Sequence, residues 1–340
     1  MCYKTFGFML LLAAPLNAAG VQDSIAKLNQ TSRAEREKGI SELCRGGSET
    51  AAALVAAESD SPHSAQVLRT LHRIIAHHQF CENKLPLIDV DSMSTLKTRR
   101  SAGDAIYYDR ARRILAVPAS FKLRHGELEY LAVDSSPSAP VHETLLAAAV
   151  RPSDFCLALL ACGYAAVERL PESGPLKLPA ASCVRLSIQW QFEAPHAGMI
   201  SDNPGQRDEV MPADPHFVST LRIPIEAFVF NSATRRSMRI APFVFTGSEF
   251  IPNPVTGRIA LAADFEGPIA ALKFNPSAVL NTALNTRHID PQKKPGYRIN
   301  RFAVPDCGTK CLLIVEPWGE PLPGEAELND QAPENLTDRP

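Results

Sequence analysis

Between Cys183 and Glu193 the chain alternates without a break. Val184, Leu186, Ile188, Trp190 and Phe192 share one parity, and Arg185, Ser187, Gln189, Gln191 and Glu193 the other. A period of two over this length fits a β-strand with one apolar and one wet face, because a helix would scatter the same residues around its axis. A strand of this kind needs neighbours to complete its hydrogen-bond ladder and a second layer to cover its apolar side. The chain must therefore build a sheet around this segment.

Partners for that sheet lie on both sides. Residues 113–118 and 119–123 read as short strands, 124–127 as a turn containing Gly126, and 128–133 as a returning strand. Further strands fall at 222–230, 241–245, 258–264, 269–274 and 312–316, with a short helix as the alternative inside 222–230. Residues 143–150 and 152–162 read as two helical segments broken at Arg151 and Pro152, with Asp154 in the first turn of the second, where an acidic side chain is favoured. Strands and helices do not alternate regularly, so the expected class is α+β rather than a doubly wound nucleotide fold: a mixed or antiparallel sheet with packed helices over residues 104–317. Residues 82–103 lack a stable period and read as a linker with at most one short element, and 318–340, rich in Pro and Glu, as a disordered tail.

The amino-terminal third is different. Residues 1–19 have one cation, Lys4, an apolar stretch from Phe6 to Pro15, and small residues at the end that offer a cleavage site after Ala18. This reads as a secretory signal peptide, too short at its apolar centre to span a bilayer, which places the protein in the periplasm or outside the cell. Residues 22–81 then read as a small all-α module. Ile40 and Leu43 lie on a helix starting near Arg33, capped by Ser32 with Glu35 three positions later; further helices are expected at 49–58 and 61–78. The run from Arg33 to Leu43, followed by a short and a longer helix, resembles a HEAT-type repeat, which implies a helical unit that packs on a neighbour or holds a peptide.

Charge narrows the partners. With 35 basic and 37 acidic residues the formal charge is -2, which gives no electrostatic reason for nucleic acid or an anionic membrane as partner. No later apolar run reaches the roughly 18 residues of a transmembrane helix. Eight cysteines are present, seven once Cys2 leaves with the leader, and the candidate disulfide pairs are Cys44 with Cys81 and Cys307 with Cys311. Cys156, Cys162 and Cys183 read as buried small hydrophobes. His72, His77, His78 and Cys81 are the weak candidates for a metal site, since their spacing suits one tetrahedral centre poorly.

The segments LeuArgHisGlyGluLeuGluTyrLeuAlaVal from Leu123, ValHisGluThrLeuLeu from Val141, ArgProSerAspPheCysLeuAlaLeuLeu from Arg151, ValPheThrGlySerGluPhe from Val244 and LeuIleValGluPro near the end occur in an order that resembles the YdjY-like family. The resemblance spans about residues 116–317 and implies that family's fold and an exported setting, with no reaction and no cofactor.

Two polar clusters are the candidate ligand-binding residues. His142 and Glu143 stand at an expected strand-to-helix junction, but Leu146 occupies the position of the second ligand in a His-Glu-x-x-His zinc helix. Thr246, Ser248 and Glu249 flank Gly247 after an apolar strand, where they form a turn or an anion-binding nest. A triad of Ser248, His142 and Asp264 would need geometry to support it, and Trp190 reads as core. These features point to a non-catalytic exported binding or assembly module whose partner is another envelope protein or a peptide. The alternatives are a small-ligand or hydrolytic protein with a pocket near His142, Glu143 and Glu249, and a metal-binding protein.

Overall fold

The computed structural model describes residues 18–30, 32–45, 54, 71, 74, 84–97, 105–167, 178–193, 218–232, 236–253, 256–284, 296–301 and 303–319. The chain divides into two compact units, one from residues 1–82 with 193–219 and the other from 83–192 with 220–340.

In the first unit, helices α1 (Ala18–Leu28) and α2 (Arg33–Arg45) are joined by a short turn. Val21, Ile25 and Leu28 recur at helical spacing and are buried, as are Ile40 and Leu43 of α2. The helices touch at Gly39, where a Cβ would stand 2.7 Å from the Ser24 carbonyl oxygen, so only glycine permits this approach. Lys27 bridges Asp23 and Glu42, each at 2.8 Å. The helix expected from Arg33 is present; those expected at 49–58 and 61–78 lie outside the described residues except for isolated helical positions at 54, 71 and 74.

The second unit is a mixed α+β domain. Its strands are β1 (Ser94–Lys97), β2 (Ala105–Asp109), β3 (Ile114–Phe121), β4 (Tyr130–Asp134), β5 (Thr144–Ala148), β6 (Cys183–Glu193), β7 (Val218–Pro224), β8 (Val229–Asn231), β9 (Arg236–Ser237), β10 (Phe243–Phe245), β11 (Phe250–Pro252), β12 (Ile259–Leu261), β13 (Pro268–Ala271), β14 (Leu280–Thr282), β15 (Tyr297–Ile299) and β16 (Lys310–Pro317). Helix α3 (Pro152–Ala161) follows β5, and the single-turn α4 (Ala263–Glu266) follows β12. Eight strands close into a barrel in the order β3-β16-β6-β10-β14-β13-β4-β5, with β5 returning to β3. Strands β1 and β2 extend the sheet beyond β3, β7 pairs with β6, and β8, β9 and β15 form a separate small sheet.

Pro118 explains how one strand serves both the barrel and its extension. Along one edge β3 pairs continuously with β16. Along the other, Ile114 to Ala116 pair with β2, and Ala119 to Phe121 pair with β5. Pro118 falls at the handover, where a missing N–H leaves no donor stranded, and its carbonyl accepts the Ala149 N–H at 2.8 Å.

The barrel interior is filled by side chains, as an eight-stranded barrel allows. Val184, Leu186, Ile188 and Trp190 of β6 are buried, with Leu115 and Val117 of β3 and Leu313 and Val315 of β16. Trp190, Phe121 and Phe228 pack with ring centroids 5.3 to 6.3 Å apart.

The opposite parity of β6 is not the wet face that alternation predicts. Residues 84–93 cross it as a strap, and Ser187 and Gln189 are buried beneath. The Gln189 amide accepts the Ile88 N–H at 2.8 Å and donates to the Ile88 carbonyl at 2.9 Å, satisfying the polar group that the strap covers. Thus part of the expected linker is structural. It carries Ile88 and Met93 onto Ile114, Ala116 and Ile314, and continues into β1.

Residues 144–148, expected as helix, form β5. All five residues are buried, so the continuous apolar run belongs to a strand covered on both faces. β5 runs parallel to β4, and β14 runs parallel to β13, while β4 and β13 pair antiparallel. The order β5-β4-β13-β14 therefore has approximate twofold symmetry. Both short connections contain the same tripeptide, Pro137-Ser138-Ala139 in the first and Pro276-Ser277-Ala278 in the second. Gly267, φ +86°, lies where β13 begins; a Cβ there would stand 2.6 Å from that of Ala139, so the glycine lets the chain entering β13 pass the loop between β4 and β5.

Candidate functional site

The ends of these two parallel units gather most of the polar residues singled out in the sequence. His142 and Glu143 lie in a 3-10 turn, Val141–Glu143, that delivers the chain into β5. His142 is exposed, and its Nε2 lies 3.8 Å from Glu143 Oε1. Glu143 offers its carbonyl to the Glu129 N–H at 3.0 Å, which fixes this turn beside the start of β4. There Tyr130 receives a 3.1 Å hydrogen bond from the Asn275 side-chain amide.

Asn275 lies within the connection between β13 and β14. Its N–H donates to Asn281 Oδ1 at 2.8 Å, its carbonyl accepts from Asn281 Nδ2 at 3.0 Å, and the same amide donates to Thr246 Oγ1 at 2.9 Å. Ser277 donates to Glu249 Oε1 at 3.4 Å, and the Glu249 N–H bonds the Pro276 carbonyl at 3.0 Å. One network therefore ties Thr246 and Glu249 to Tyr130, beside which Glu143 stands. Burial pushes the Tyr130 phenol above its ordinary range; the Asn275 bond opposes this, and the charges of Glu129, Glu143 and Glu266 add to it.

Ser248 has a structural duty. Its backbone is left-handed, φ +65°, and its Oγ accepts the Ala263 N–H at 3.1 Å, seating the first turn of α4. Asp264 is also committed: one oxygen accepts the Ser153 N–H at 2.9 Å and the other meets Arg151 at 3.1 Å. It thereby caps α3, whose own Ncap residue, Arg151, makes no side-chain cap bond. Ser248 and Asp264 thus spend their side chains on helix ends rather than on a nucleophile and orienting acid for His142.

The buried thiols Cys156, Cys162, Cys183 and Cys311 sit in surroundings that suppress nucleophilicity. Burial pushes Cys156 and Cys311 up to about 12 and Cys183 to about 11, and raises Cys162 as well. Cys307 is exposed and Cys311 buried at the start of β16, both as free thiols. The side chains of Cys44 and Cys81, with His72, His77 and His78, lie outside the described residues. Among the described residues no group of three His, Cys, Asp or Glu is placed to hold a metal ion, and no helix is long and apolar enough to cross a membrane.

Immediately after Glu249 the surface changes character. β11 and β12 form a two-stranded ribbon in which Phe250 faces Leu261 and Pro252 faces Ile259. Cross-strand partners share a face, so these four side chains form one apolar surface. Phe250 is 69% exposed and Ile259 66%. Helix α3, which packs against α4, also exposes Leu157 and Leu160, one turn apart. Sequence reading found a strand at 258–264 but missed its partner. The legible signal was Phe250-Ile251-Pro252 and Ile259-Ala260-Leu261 flanking a Gly257 turn, apolar on both parities with no polar face to give to water.

The ribbon's main chain is asymmetric. Asn253 donates to the Arg258 carbonyl at 2.7 Å and Ala262 to the Glu249 carbonyl at 2.9 Å. Antiparallel alternation makes Ile251 and Ala260 the hydrogen-bonded pair between them, so the peptide groups of Ile259 and Leu261 point outward along β12. On the β11 edge Pro252 has no N–H to offer. Compared with family models, curated proteins and solved structures, the chain matches none.

Proposed function

We propose that this chain is an exported binding or assembly module of the cell envelope, and that it takes an extended segment of a partner protein against the ribbon β11–β12. The exposed face of Phe250 and Ile259 carries the reading. Large apolar side chains clustered on an exposed surface lose nothing by being covered, and such patches mark interaction sites. The outward peptide groups of β12 favour an extended backbone as the occupant, with alternate side chains lying on the apolar face. A pocket for a small ligand at Glu143 and Glu249 is the weaker reading, because the Thr246, Asn275 and Asn281 groups beside it already satisfy one another.

The reading is tested with Phe250→Asp combined with Ile259→Asp. Both side chains are exposed, so the variant is expected to fold with unchanged stability and to lose partner affinity by about 30-fold or more, the effect of removing one strong interface anchor. Native mass spectrometry of the protein from its exported compartment should show a partner subunit on the wild type and not on the variant. Equal retention of the subunit by both would contradict the assignment.

A further inference from the structure

Strand β7 passes into β8 through a single 3-10 turn, Ile225–Phe228, and the side chain of Glu226 points into the protein from it. The carboxyl is fully buried. Oε1 accepts the Ala241 N–H at 3.4 Å, and Oε2 has no hydrogen-bond partner among the described residues. Two residues on, Phe228 places its ring 5.3 Å from Trp190 and 5.4 Å from Phe121. The turn's carbonyls are held by Asn300, whose side chain donates to Ala227 at 2.9 Å and whose N–H donates to Phe228 at 2.8 Å.

A carboxylate in such a place would leave one oxygen shut off from bulk solvent and without a donor among the described residues, which costs far more than burying the neutral acid. We infer that Glu226 is a proton switch that locks the 225–228 turn and its Phe228 ring into the barrel core when protonated and loosens them when ionised.

The charged neighbours do not abolish the switch. Burial pushes Glu226 from its ordinary 4.5 to about 7, outweighing the backbone N–H groups of Glu226 itself and of Ala241 and the charge of Arg185 on β6, all of which favour the ionised form. β8 offers no titratable side chain, and Arg239, in the segment after β9, is exposed. Arg222 of β7 is occupied by Glu316. Below about 4.5 the proton is bound whether the chain is folded or unfolded. Between 4.5 and about 7 the folded state keeps it and the unfolded state releases it, so rising pH favours opening; above about 7 the loss is complete. That interval corresponds to roughly a 300-fold change in the equilibrium.

The test follows Trp190 fluorescence and hydrogen exchange at the Ala241 amide in the full chain from pH 5 to 9, with exchange corrected for base catalysis. In the wild type both should titrate near neutrality, protection at Ala241 falling by up to about 100-fold over this range, and Glu226→Gln should remove both transitions. A flat wild-type profile, or an unchanged titration in the variant, would overturn the inference. Should Glu226→Gln not fold, the wild-type exchange profile at Ala241 decides by itself, since a group ionised throughout this range gives no transition.

Discussion

Arg222→Ala is expected to lower the free energy of unfolding by about 3 to 5 kcal/mol, the range for breaking a buried ion pair from one side. Arg222 is the joint between the barrel wall and the strap that covers it. Its Nε donates to Ser187 Oγ at 2.9 Å and Nη1 to the Pro86 carbonyl at 3.0 Å, while Nη2 lies 2.6 Å from Glu316 Oε1. Its own carbonyl receives the Leu85 N–H at 2.8 Å. Truncation leaves the Glu316 carboxylate, a carbonyl and a hydroxyl under the strap without their donor. Urea unfolding measures the loss. Pairing Arg222→Met with Glu316→Leu should recover most of it, because the stranded charge leaves together with its partner. A single variant within about 0.5 kcal/mol of wild type, the range of ordinary surface changes, would show that the strap is held by its apolar contacts alone.

Trp190→Ala should cost a similar amount, about 3 to 5 kcal/mol. The indole is buried on the interior parity of β6, with Phe121 and Phe228 packed around it at 6.3 and 5.3 Å. A barrel wall cannot easily collapse into the space, since each strand is fixed by neighbours on both sides, so the cavity persists and its cost adds to the lost transfer energy. Trp190→Phe, which keeps an aromatic ring, should cost distinctly less. Both are read by chemical denaturation, and equal destabilisation by the two replacements would show that volume is not the governing quantity.

How much of this was legible follows from the range of each interaction. The alternation in β6 survives because it is local, and it correctly put Trp190 in the core. The fate of the other parity was not local: Ser187 and Gln189 look solvent-facing until Ile88, about a hundred residues earlier in the chain, lies across them. β5 was misread because Thr-Leu-Leu-Ala-Ala has good helix propensity, and only pairing with β4 and β3 makes it a strand. Barrel closure turns on the change of neighbour at Pro118, which no periodicity encodes.

The candidate site divides in the same way. Thr246 and Glu249 were found because hydroxyls and carboxylates around a glycine mark a polar turn. Tyr130 and Asn281, which join them to the neighbourhood of Glu143, belong to β4 and β14, which the fold sets on either side of β13. The serine of the proposed triad and its acid turned out to seat two helix ends, and Asp264 does so for a helix more than a hundred residues away in sequence. Glu226 gave no sequence signal at all, since a glutamate beside Pro224 and Ile225 reads as the exposed corner of a turn.

The ribbon carries the functional account, and site-specific photo-crosslinking in intact cells tests it most directly. A photoreactive phenylalanine at position 250 or 259 is compared with one at Leu87, an exposed apolar residue of the strap. The account predicts one common adduct from the two ribbon positions, competed by an excess of unmodified protein, and none from position 87. Crosslinking from position 87 alone, or equally from all three, would contradict the assignment of β11–β12 as the binding face.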